Sequence, residues 1–401
     1  MCRPSRNDQY CLRGKGRGIG TDLERGLSLV ELLIALTLGL IVIAAILQFF
    51  VGSKVTYSAT EAMARVQESG RFAMATLQPV VRSASLNGIC GGTTSPRLRS
   101  HVNTSSADAF SLLAHTHAIR GWEYQETGTG RTVTLSNLEA GASEASDWLH
   151  NGTIGALPEE IVDRALPLSD VLLVREMLPI PGVTAADTNN NLPNQPIAIS
   201  SGVGTDRIRQ CEIILVTNCN EADLFQVSNA NTTTQLLKDA GGPCSPGNLS
   251  SGEDWSTSYR SATQFYRPVA RAFFVGEGVG GEPALFSASF GTGFTSPRFE
   301  ELVDGVENMQ LLFGYSEPGA PAGSGDGQRV DRWVTAQNVP NWEYVIAARV
   351  GLLVRSPGPV GTGSATQTYE VGLTNVTHPA DNTLRQAYNA TVTLRNRQIV
   401  K

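Results

Sequence analysis

The sequence predicts an α+β protein, one long N-terminal helix followed by a β-rich domain. Three observations carry this prediction. Residues 27–51 form an apolar run with a single charge, Glu31. Residues 54–78 continue it with apolar side chains at helical spacing. Beyond Pro79, short β-branched and aromatic runs alternate with Gly, Asn, Ser and Thr. The 401 residues are 41% hydrophobic and 17% charged, which fits a globular chain and excludes a fibrous or wholly disordered one. With 31 Lys+Arg against 37 Asp+Glu there is no basic footprint, so no nucleic-acid partner is expected.

The N-terminus is the most informative segment. Residues 1–26 hold six basic and three acidic residues. The apolar run that follows exceeds the roughly 20 residues a helix needs to cross about 30 Å of hydrocarbon. A basic flank on its N-terminal side predicts a cytoplasmic N-terminus and an exported remainder. The run is longer than the h-region of a cleaved signal peptide, and the small-x-small site Ala62-Met63-Ala64 falls inside a helical pattern. A plain signal anchor accounts for the length but not for Glu31. A carboxylate in a spanning segment costs about 2.5–3.5 kcal/mol at the centre and less near the interface, so a functional partner is expected.

From Lys54 onward the pattern is amphipathic. Val55, Ala59, Ala62, Val66, Ala73 and Leu77 recur at spacings of three and four, flanked by Met63 and Phe72. Glu61, Arg65, Glu68 and Arg71 face elsewhere. Pro79 is expected to end or bend the helix. The result is one helix of about 50 residues, roughly 75 Å at 1.5 Å per residue. A coiled-coil stalk is disfavoured, because the stripe covers under four heptads and lacks Leu at its seam. Its small residues suit close packing on a sheet, with Gly39, Gly52 and Gly70 as expected bending points.

In the following domain, strands are expected at 109–114, 132–135, 170–176, 212–217, 223–227, 265–275, 284–290, 309–315, 345–355, 369–373 and 387–394. Segments 181–206, 240–262, 316–328 and 356–367 read as loops. Catalytic signatures are missing or weak. Gly276-Glu277-Gly278-Val279-Gly280-Gly281 lacks the βαβ context of a dinucleotide loop and reads as a turn. His115 and His117 share one strand face but have no third ligand. Asp187-Thr188-Asn189-Asn190-Asn191 starts like a calcium loop, yet Leu192 and Ala198 replace its Gly and Glu. The Asn-x-Ser/Thr sequons at Asn103, Asn151, Asn231, Asn248, Asn375 and Asn389 follow from composition. No catalytic residue, metal site or cofactor is therefore assigned.

The context Arg25-Gly26-Leu27-Ser28-Leu29-Val30-Glu31 resembles the class III signal of type IV pilins and type II secretion pseudopilins. Gly26, the basic leader, Glu31 at its offset and an uninterrupted apolar helix coincide. The resemblance implies cleavage between Gly26 and Leu27 by prepilin peptidase, N-methylation of Leu27, and pairing of Glu31 with a neighbouring subunit's ammonium. Residues 300–316, 331–356, 385–397 and 216–229 resemble the PilW group of minor pilins. In these segments Leu302, Val303, Val306, Met309, Leu312 and Phe313 are expected to pack, and Trp333 and Trp342 to anchor a sheet edge.

The resemblance implies a pilin-like fold in which residues 1–26 are a cleaved leader. Residues 27–51 are the membrane half of the helix, 52–80 its amphipathic half, and 81–401 a periplasmic β-rich domain packed on it. It implies a single-pass inner-membrane protein, non-catalytic, that primes pilus assembly and caps the tip. Its partners would be prepilin peptidase, other minor pilins, the major pilin, the inner-membrane assembly platform and the bilayer. Without the leader the chain has 25 Lys+Arg and 34 Asp+Glu. Cys2 and Cys11 leave with it, so Cys90, Cys211, Cys219 and Cys244 remain. An even number in an oxidising compartment suggests two disulfides in one of three connectivities. Zinc is disfavoured by the lack of a Cys-x-x-Cys pair. A minor pseudopilin of type II secretion is the closest alternative function, and a membrane-tethered periplasmic enzyme is the alternative of another class.

Overall fold

The structure is a computed structural model. It describes residues 28–84, 97–103, 117–136, 139–151, 155–187, 192–199, 207–229, 234–240, 243–249, 254–260, 262–291, 297–317, 329–360 and 365–394. The chain divides into two compact units, Met1–Thr56 and Tyr57–Lys401.

Helix α1 (Leu29–Ser83) starts in the first unit. Residues 28–56 are exposed throughout, and the helix has the length and apolarity to cross a membrane. In the second unit α1 buries one stripe: Ala62, Val66, Gly70, Ala73, Met74, Leu77, Val80 and Val81. These positions follow the three-and-four rhythm that keeps side chains on one face. The stripe begins at Ala62, whereas Val55 is exposed and Ala59 half-buried, a shorter seam than the periodicity predicts. Pro79 neither ends nor replaces the helix, which runs a further turn to Ser83. The ring removes one amide donor, and packing of Val80 and Val81 in the core offsets that loss.

Among the described residues the rest of the second unit forms four sheets. The largest is nine-stranded: β1 (Arg97–Ser100), β2 (Ile119–Tyr124), β4 (Trp148–Leu149), β5 (Val171–Pro179), β7 (Ile213–Thr217), β8 (Glu221–Gln226), β10 (Gln264–Glu277), β11 (Pro283–Phe290) and β12 (Arg298–Asp304). Its path is β1-β8-β7-β10-β5-β2-β4. It forks at β10, whose one edge takes β5 while the other is shared by β7 at Gln264–Tyr266 and β11 at Ala270–Glu277. A three-stranded sheet pairs β3 (Thr132–Thr134), β16 (Thr368–Val371) and β17 (Thr374–Thr377) in the order β16-β17-β3. A short pair joins β6 (Ile197–Ala198) to β9 (Gln235–Leu236). The four-stranded sheet runs β14-β13-β15-β18, from β13 (Val306–Tyr315), β14 (Arg332–Val334), β15 (Val345–Pro359) and β18 (Thr383–Thr393). One short helix, α2 (Glu159–Val162), buries Ile161 and Val162.

The main core joins α1, β2, β5, β10, β13 and β15 through residues such as Leu77, Trp122, Leu172, Phe273, Phe313 and Leu352. Strand β7 serves two cores because its side chains alternate. Ile213 and Leu215 point into the main core, and Ile214 and Val216 into a second one closed by Trp255 and Tyr259. Of the expected packing residues, Val303, Val306, Met309, Leu312 and Phe313 are buried and Leu302 packs partly against the core. Trp333 stands on edge strand β14, under Arg349 at 4.6 Å. Trp342 sits away from any edge, fully buried in a 3-10 turn, with its ring centroid 4.7 Å from that of Phe313.

Of the expected strands, all but one fall on observed ones; residues 109–114 lie outside the described residues. The expected loop at 356–367 is partly strand, since β15 continues to Pro359. Strands β6 and β9 occur in segments without a clear two-residue period.

Candidate functional site

The start of α1 is built locally. Ser28 precedes the first helical residue, and its hydroxyl accepts from the Glu31 amide at 3.2 Å. Its carbonyl accepts from the Leu32 amide at 3.1 Å. Ser28-Leu29-Val30-Glu31 is thus an N-cap with an acid at the third helical position, where a carboxylate is also favoured by the helix dipole. The Glu31 carboxylate is exposed and has no ion pair among the described residues. Further along, Thr37 donates to the Ile34 carbonyl at 2.9 Å and Thr56 to that of Gly52 at 3.0 Å. Both hydroxyls are satisfied inside the helix, which a lipid environment requires. Gly26 and Leu27 lie outside the described residues.

In the second unit α1 is seated by close contact. The Tyr388 hydroxyl donates to the Val66 carbonyl at 3.1 Å. A Cβ on Gly70 would stand 2.2 Å from the Tyr388 ring, so only glycine fits there. Gly70 is thus a contact point of α1 with β18. At the end of α1, Ser83 donates to Glu176 at 2.6 Å.

Buried polar groups join the sheets. Arg385 on β18 donates to both Glu307 oxygens at 2.6 and 2.9 Å and to both Asp381 oxygens at 2.7 and 2.6 Å. The Arg385 hydrogen bonds hold the Asp381 carboxyl well below its usual range. Burial disfavours the Arg385 charge, but its two carboxylates outweigh that and raise its pKa. Asp170 accepts from the Tyr124 and Leu311 amides at 3.0 and 2.8 Å, linking β2 to β13. Burial pushes it well above the carboxylate range, helped by the charge of Glu123. In the second core, His101 Nε2 lies 2.7 Å from Asp223, which also accepts from Tyr259 at 2.6 Å and from the amide and hydroxyl of Ser256. Burial there raises the Asp223 pKa, and the hydrogen bonds from His101, Tyr259 and Ser256 more than reverse it. None of these was singled out from sequence; except for Arg385 and Asp381, four apart, the partners are far apart in the chain.

Cys211 and Cys244 form a disulfide that closes a separation of 33 residues. Cys219 is also disulfide-bonded, and Cys90 lies outside the described residues, as do Cys2 and Cys11. The His115/His117 pair is not assembled among the described residues: His115 lies outside them, and the His117 carbonyl accepts from Arg175. Asp187 is described, but residues 188–191 are not. Of residues 276–281, expected as a turn, Gly276 and Glu277 end β10 and 278–281 make the turn, closed by the Gly278 amide donating to the Glu282 carbonyl. Among the described residues no group of three His, Cys, Asp or Glu side chains is placed to hold a metal.

Two family models match. Residues 22–47 match the prokaryotic N-terminal methylation motif, and residues 272–396 match type IV pilus-assembly protein W, PilW. By these two matches the chain is similar to PilW-like type IV pilins. The first match covers the capped start of α1 and Glu31. The PilW match runs from the second half of β10 through β18, and so contains the whole four-stranded sheet and the Arg385–Glu307 clamp. No curated protein and no solved structure matches the chain.

Proposed function

We propose that this PilW-like chain is a non-catalytic minor pilin that primes pilus assembly from the inner membrane and enters the pilus at its tip. Prepilin peptidase severs the bond between Gly26 and Leu27 on the cytoplasmic side, and Leu27 is then N-methylated. Residues 27–51 hold the chain in the bilayer and 52–80 continue the helix. Residues 81–401 form the periplasmic domain that meets other minor pilins, the major pilin and the assembly platform.

The observation that carries this reading is the coincidence of the methylation motif with a serine-capped helix whose apolar stretch to Val51 holds one acid, Glu31, in the first turn. In lipid an unpaired carboxylate and an unpaired ammonium are each costly, so a new N-terminal ammonium on one subunit and Glu31 on the next stabilise each other. Glu31→Ala is the test. Recovery of the chain in sheared pili should fall at least tenfold while its membrane level holds. Undiminished recovery would remove the role given to Glu31.

A further inference from the structure

A groove of about 630 Å³ opens in the second unit, between α1, strands β12 and β15 and the turn before β11. One wall is apolar: Phe72 is 56% exposed on α1, and Leu302 and Pro357 stand across from it. The charges around it are unequal. Its two arginines are already engaged, Arg65 by Glu61 at 2.9 Å, and Arg355 by Glu282 and by Glu307, the latter at 3.6 Å. Glu68 and Asp304, by contrast, line the groove with no ion pair among the described residues. Glu68 precedes Phe72 by four residues, so its carboxylate and the exposed ring share one helix face. An aromatic face flanked by unpaired carboxylates attracts a cation both by charge and by the ring quadrupole. The volume lies within the range of ligand pockets.

We propose that this groove docks a polypeptide partner whose binding segment places a Lys or Arg side chain beside an aliphatic or aromatic one. The cation sits between Glu68, Asp304 and the Phe72 face. The neighbouring apolar side chain covers Leu302 and Pro357. Charge complementarity decides for a basic segment, because both cations of the lining are spent on this chain's own acids. This inference stands apart from the assembly role, since it concerns residues far in sequence from Glu31.

The test uses the full-length chain in nonionic detergent and three fluorescent hexapeptides, with binding read by anisotropy against empty micelles. One alternates Lys or Arg with Leu and Phe, one replaces the cations by Glu, and one replaces the apolar residues by Ser. The basic–apolar peptide should bind at least tenfold more tightly than either control, and more weakly as salt is raised. The double substitution Glu68→Lys with Asp304→Lys should weaken it about tenfold, and the neutral pair Glu68→Gln with Asp304→Asn by less. Phe72→Ser, an exposed position, should also weaken it. Equal binding of the three peptides, or binding that these variants leave unchanged, would overturn the proposal. Loss of this binding leaves Glu31-dependent recovery in pili as a separate readout.

Discussion

At the scale of single residues, packing and charge make opposite demands at two places on the same strand. Tyr388 needs a glycine beneath it on α1, so Gly70→Ala should destabilise the domain by about 1–3 kcal/mol through overpacking. Thermal unfolding of the full chain in detergent checks this, and adding Tyr388→Ala should recover part of the loss. An additive double mutant would contradict the contact. Three residues back along β18, Arg385 is shared by Glu307 and Asp381. Arg385→Met leaves the buried Glu307 with Arg355 alone, at 3.6 Å, a change expected to cost about 3 kcal/mol. Asp381 sets the acid response. Its folded pKa is depressed, so its contribution is complete above the ordinary carboxylate value and is lost as pH falls through the folded one. Asp223 acts in the same sense. Asp170 and Glu123 are shifted upward by burial and have the opposite sign: the folded state holds their protons more tightly, and their contribution fades as pH rises through the folded pKa. Asp381→Asn should therefore flatten the acid limb of the melting temperature against pH, and an unaltered limb would rule out this linkage. Glu31 stood out in the sequence as the single charge of an apolar run, whereas the cap from Ser28, three residues before it, was not read there. Arg385 and Glu307 are 78 positions apart, and no local pattern announces their pairing.

At the scale of elements, long strands with plain hydrophobic alternation were readable and short or charged ones were not. Strand β10 has Phe265, Phe273, Phe274 and Val275 to mark it. Strand β2, Ile-Arg-Gly-Trp-Glu-Tyr, is buried throughout, yet Arg120, Gly121 and Glu123 hide that from any periodicity. Edge strand β12 is largely half-buried and carries Glu300, Glu301 and Asp304, and no strand was expected there. The helix was legible to within a turn, and its end was misplaced because core contacts of Val80 and Val81 outweigh the local penalty of Pro79. The cysteine count predicted disulfides without choosing a pairing; Cys211–Cys244 is formed because the ends of that segment are brought together by the fold. Substituting both with Ser should lower unfolding free energy by about 3–4 kcal/mol, the entropy of a loop of this length. Denaturant titration of the full chain checks it, with the peptide map showing Cys211 joined to Cys244. A wild-type midpoint in the double variant would mean the bridge adds no stability.

At the scale of the whole molecule, one chain carries an exposed apolar helix start and a β-rich unit with its own cores. The physical claim beneath the functional reading is that the apolar helix becomes an assembly device once a free amine is made beside it. Residues 27–51 would then partition into the bilayer, and Glu31 would be the group that refuses to stay there unpaired. The measurement that reaches this claim most directly is mass spectrometry of the N-terminal peptide of the chain isolated from membranes and from sheared pili. The account predicts a peptide beginning at Leu27 with one added methyl group, in both fractions. A peptide that retains Arg25 and Gly26, or one that begins after Ala64, would contradict it.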